Sequence, residues 1–260
     1  MHLSGFDLFV WAATFCGDIL LLAVLLVRNR SGSFPAFTTF IAENIATIVI
    51  LYFVLHHLSF DTYRHCYVVL GIVDEILQVF VLYELAVHVF CPTGVWAPDV
   101  YKTFIGLACI SGLIALFLTW LAHPTSKLWI QTFVLRSNFF SAVLMSELFV
   151  CMLVLSTTAG LPWKTHVARI AQGLGTYSIL CVAKDILINY YGLKQHAHFY
   201  TELSHLRALT YLGCELFWIV MLWQEAPAPR ELPESMRIQI YTLQKRVEHD
   251  LIRIRAWRRN

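Results

Sequence analysis

Five carboxylic acids lie in runs otherwise fit for hydrocarbon: Asp18 in "FCGDILLLAV", Glu43 in "FIAENIATIV", Glu84 in "VLYELAVHVF", Glu147 in "LMSELFVCML" and Glu215 in "GCELFWIVML". A charge at mid-bilayer costs about 2.5–3.5 kcal/mol on insertion scales, so such acids face a bundle interior, pair with something, or hold a proton. Chains of them mark proton and ion paths. A second group carries both signs of charge: Asp74, Glu75, Arg136, Asn138, Lys184, Asp185, Glu202, His205 and Arg207. Their chemistry suits recognition of a small polar or charged ligand. Internal ion pairs are the simpler reading, Arg136 with Asp74 or Glu75 and Lys184 with Glu202. A buried ion pair, however, often only breaks even against apolar packing. So large a set is expected to line a hydrated crevice.

The elements that must hold these residues follow from composition. Of 260 residues, 58% are hydrophobic and 14% charged, against about 45–50% and 25% in soluble domains; mean hydropathy is +0.64. A helix needs about 20 mostly apolar residues to span a bilayer, and lipid offers no partners to unpaired backbone groups. Long, unalternating apolar runs therefore predict an all-α polytopic membrane protein. Seven transmembrane helices are expected, over 7–28, 34–57, 64–90, 102–123, 128–157, 165–191 and 200–223, separated by Pro- and Gly-bearing joints such as "RNRSGSFP", "CPTGVWAP", "HPTSK" and "GLPWK".

Lys and Arg favour cytoplasmic loops. With the N-terminus outside, the inner side receives Arg28, Arg30, Lys102, Lys164, Arg169 and the basic tail. N-outside, C-inside is the expected orientation, in the inner (plasma) membrane, with no cleaved signal peptide. Helices one, three, five and seven then run inward. The mixed-charge group falls in the outer half of helices three, five, six and seven. Helix four, "TFIGLACISGLIALFLTW", has no charge and is expected against lipid.

Residues 1–225 form the membrane domain and 226–260 a separate cytoplasmic element. In the latter, Met236, Ile240, Leu243, Val247, Ile254 and Trp257 fall on heptad a/d positions, with Asp250 breaking the stripe. The stripe predicts an amphipathic helix over 234–258 that lies on anionic lipid, self-associates into a homo-oligomer, or holds a cytoplasmic partner. A net charge of +2 is too small to argue for nucleic acid, and no such partner is expected.

Enzyme chemistry finds little support, since neither HExxH nor GxSxG occurs. The seven cysteines show no CxxC or Cys/His metal spacing, and no metal is expected. No cofactor is expected either. His88 and His205 would lie near opposite membrane faces and cannot ligate one haem, and "LTYLGCELFWIVMLW" has no lysine where microbial rhodopsins bind retinal in their seventh helix.

"VRNRSGSFPAF" after helix one and "VLYELAVHVFCP" closing helix three resemble uncharacterised bacterial seven-helix integral membrane proteins. That resemblance implies the same topology and carries no activity. Three functions stay open: a receptor-like or sensory protein with an outward-facing polar ligand crevice; a proton- or ion-coupled transporter or channel using the intramembrane carboxylates; and a lipid-modifying membrane enzyme.

Overall fold

The structure, a computed structural model, describes residues 5–90, 98–122, 129–158, 165–191 and 197–225. These residues form seven α-helices and no strand: α1 (Gly5–Val27), α2 (Pro35–His57), α3 (Phe60–Phe90), α4 (Pro98–Leu121), α5 (Trp129–Thr158), α6 (Thr165–Tyr191) and α7 (Ala197–Trp223). Most ends fall within a few residues of those expected. α3 begins earlier than 64 because Ser59 Oγ accepts the Thr62 N–H at 3.3 Å, a cap that nucleates the helix upstream of the apolar run. α1 stops where Asn29 takes a left-handed φ of 52°, which turns the Arg30 N–H back onto the Leu25 carbonyl at 2.8 Å. The amphipathic helix expected over 226–260 lies outside the described residues.

Six of the seven helices are long and apolar enough to cross a membrane, as in an integral membrane protein. α6 is the exception. Its 27 residues would reach about 40 Å at 1.5 Å per residue, so it falls short in apolarity rather than in length.

Cross-helix contacts fix the directions. Phe6 meets His205, Gly17 meets Glu215 and Arg28 covers Trp223, so α1 and α7 lie side by side and parallel. Arg169 pairs with Trp218, Gly173 with Cys214 and Tyr177 with Arg207, so α6 and α7 are antiparallel. The helices form a ring in which α1 packs on α2 and α7, α2 on α3, α3 on α5 and α6, and α6 on α7, while α4 packs mainly on α5 from outside. The uncharged α4 is peripheral. Its outer face carries exposed Leu113, Phe117 and Trp120, as expected when lipid is the solvent.

The two ends of the ring differ in chemistry. At the end where α7 finishes, the trailing end, Leu21, Leu25, Phe37, Ile41, Leu85 and Trp218 belong to one buried apolar cluster. Trp218 is its largest fully buried side chain, 0% exposed. It meets the Phe37 ring edge-on at 5.2 Å and donates Nε1–H to the Arg169 carbonyl at 3.3 Å. Gly173 lets it in, since a Cβ there would overlap the indole; Gly175 does the same for the Phe149 ring. At the opposite, leading end, the space between helices is polar.

Candidate functional site

A recess of about 40 Å³ opens among α3, α5, α6 and α7 towards the leading end. Room for water-sized occupants in a protein interior goes with polar walls. Here the walls include Asp74, Glu75, Asn138, Lys184, Asp185 and Arg207. Each arrives by helical spacing. Asp74, Glu75 and Gln78 share one side of α3, and Ser178, Cys181 and Asp185 are the i, i+3, i+7 positions of α6 that point into the ring.

Within the recess, Lys184 Nζ and Asp185 Oδ1 form an ion pair at 2.8 Å. Adjacent residues on a helix diverge by about 100°, yet the flexible lysine stem folds back to its neighbour. Lys184 thus pairs with Asp185 rather than with Glu202 and does not need a partner on α5 or α7. Asp74 accepts from Gln78 Nε2 at 2.9 Å, and Glu75 accepts the Ser137 hydroxyl at 2.6 Å. Glu75 and Asn138 also line a second recess of about 30 Å³ between α3 and α5. Arg207 uses one of its five donors on Tyr177 Oη, at 2.9 Å from Nε.

The other three candidates lie outside this lining. Arg136 is exposed on α5, Glu202 is exposed on α7, and half-buried His205 meets the Phe6 ring edge-on at 4.8 Å. Gln78, Ser141, Tyr177, Ser178 and Cys181 are lining residues that a search by charge passes over. The only local signal for them is a polar atom on the helical stripe that also holds a charged residue.

A second polar locus lies deeper, on the α1–α7 seam. Asp18 and Glu215 are both 0% exposed, and their carboxyls lie within hydrogen-bonding reach of each other. The Tyr211 hydroxyl donates to Asp18 Oδ1 at 3.2 Å and accepts from Asn44 Nδ2 at 2.8 Å. Asp18 Oδ2 and both Glu215 oxygens receive no donor from the described residues. Gly17 makes room, because a Cβ there would stand 2.5 Å from Glu215 Oε2. Two bare carboxylates 4 Å apart would repel by about 4 kcal/mol at an effective dielectric near 20. The Tyr177 and Tyr211 rings, edge-to-face at 5.4 Å, lie between this pair and the recess.

The remaining acids are held elsewhere. Glu43 accepts the Thr47 hydroxyl on α2 at 2.5 Å and is an electrostatic neighbour of Asp74. Glu84 accepts the backbone N–H of Ala36 at 2.9 Å and of Phe37 at 3.1 Å, so it caps the start of α2 from α3. Glu147 bonds Ser111 across the α4–α5 contact. The five acids therefore occupy four settings, and of the five only Asp18 and Glu215 meet each other.

No group of three or more His, Cys, Asp or Glu side chains able to hold a metal occurs among the described residues. No family model, curated protein or solved structure matches the chain.

Proposed function

We propose that the protein is a receptor-like membrane sensor that takes a small polar ligand into the leading-end recess. One observation carries this reading: the polar space ends against the apolar trailing-end cluster around Trp218 and Phe37. A conducting path needs polar lining or water through the full depth. A sensor needs a site whose occupant contacts two conformations differently, and the recess takes its lining from four separate helices. Its carboxylates, with Arg207, favour a ligand bearing both an ammonium or other donor group and an anionic group.

The proposal includes seven spans. On α6, residues 167, 170, 171, 174, 178, 181 and 185 are buried at helical spacing, while the opposite face shows Ile179, Leu180, Ile186 and Leu187. A helix whose polar groups face its neighbours and whose apolar groups face outward can cross a bilayer despite modest apolarity. By the Lys/Arg bias the leading end is outside and the 226–260 segment is cytoplasmic, where it serves as an amphipathic helix for output or self-association. Labelling of cysteines placed in the N-terminus and the tail, in spheroplasts and in permeabilised cells, tests this. Tail labelling is expected only after permeabilisation, and labelling of the tail in intact spheroplasts would invert the assignment of the recess.

The second reading is proton-coupled transport, favoured by the acid pair on the α1–α7 seam. Reconstituted protein under a pH gradient decides between the two. The sensor reading expects no proton flux above empty liposomes. Flux that is abolished by Glu215→Gln would make transport the correct reading.

A further inference from the structure

We propose that Asp18 and Glu215 form a binding site for a single proton, carried on Glu215, and that its loss unlocks the α1–α7 seam. The donors around the pair locate the proton. Asn44 donates to Tyr211 Oη and Tyr211 donates to Asp18 Oδ1, so a directed chain of hydrogen bonds ends on one oxygen of Asp18. That carboxyl is the supported acceptor. Glu215 receives nothing from the described residues on either oxygen, and Asp18 Oδ2 is likewise without a donor. A proton on Glu215, donated to Asp18 Oδ2, gives two of these three oxygens a partner with one hydrogen.

The surroundings supply no substitute. Facing the pair are Tyr211 and Cys214 from α7 and Asn44 from α2, with Glu43 one residue away; Tyr177 and Cys181 of α6 and Asp74 of α3 act on those neighbours. None of these is a cation. Arg207 is bound to Tyr177 Oη, beyond the Tyr211 ring. No third His, Cys, Asp or Glu side chain completes a metal-ligand set with this pair among the described residues.

Release breaks the Glu215 O–H bond, passes the proton to water and leaves two carboxylates in contact inside a seam built for close approach by Gly17. Repulsion then drives α1 from α7. Loss of the proton replaces a hydrogen bond across the seam with a like-charge contact, so stability falls as pH rises through release. The site operates whether or not the recess takes a ligand.

The test uses the full chain in lipid nanodiscs. Infrared spectra of the wild type are expected to show a carboxylic-acid C=O band at neutral pH that bleaches at alkaline pH together with a drop in thermal midpoint. In Glu215→Gln, whose amide mimics the protonated acid, this band component is expected to be missing and the midpoint to stop depending on alkaline pH. If that variant does not fold, the Asp18→Asn/Glu215→Gln pair replaces it with the same expectation. A wild type without the band, or a variant that keeps both the band and the wild-type alkaline drop, overturns the proposal.

Discussion

Trp218→Ala is expected to be the most damaging single truncation in the bundle, lowering stability by about 3–5 kcal/mol, the range for removing a buried aromatic side chain. The indole is fully buried, packs edge-on to Phe37, and donates to the Arg169 carbonyl. Lipid offers no hydrophobic drive between helices, so lost van der Waals contact and the lost indole hydrogen bond carry the cost. Gly173 gives the sharper test. Gly173→Ala alone forces a methyl into the indole and should destabilise by about 1–3 kcal/mol, as overpacking does. In the Trp218→Ala background the same methyl enters the vacated space, so the double variant should be more stable than the sum of the two singles. Unfolding of the four proteins in one detergent measures this. Additive losses would mean that Gly173 and Trp218 are not in contact.

Glu84→Ala is expected to cost about 3 kcal/mol or more, from two charge-assisted hydrogen bonds, one buried and one part-buried, at about 1.5–3 kcal/mol each. The accounting at the start of α2 is complete without it only for two positions. Pro35 has no N–H to satisfy, and the Thr38 N–H reaches the Phe34 carbonyl at 2.9 Å. Ala36 and Phe37 depend on Glu84, since Phe34 provides no side-chain cap and the first turn of α2 holds no acid. A carboxylate there also meets the positive end of the helix dipole. Glu84→Gln keeps one acceptor oxygen and should lose about half as much. Glu147→Gln, with its single partner Ser111 on a peripheral helix, serves as the control and should change little. If Glu84→Ala unfolds at the wild-type midpoint, the cap does not stabilise α2.

Glu84 and Glu215 also mark the boundary between local and tertiary information. Both read alike in sequence, an acid before leucine in an apolar run, yet one caps a neighbouring helix and the other meets a second carboxyl. Nothing local separates them, because the partners lie 47 or 48 residues away for Glu84 and on the first helix for Glu215. Likewise Lys184 and Asp185 announce a polar patch, while its true extent required Tyr177 and Gln78 from different helices.

What the sequence by itself determined is the set of helices and their apolar character, since length and hydropathy are properties of a contiguous segment and the bilayer imposes them segment by segment. The outward placement of uncharged α4 followed for the same reason. Only the tertiary structure decided which acids meet, that α1 lies parallel to α7, and that α6 hides its polar stripe in the ring. Neighbour order in a helix bundle depends on small residues and on side-chain shape at a few crossings, such as Gly17 under Glu215 and Gly173 under Trp218. Those pairings join residues far apart in the chain, so no window of sequence contains both halves of the contact.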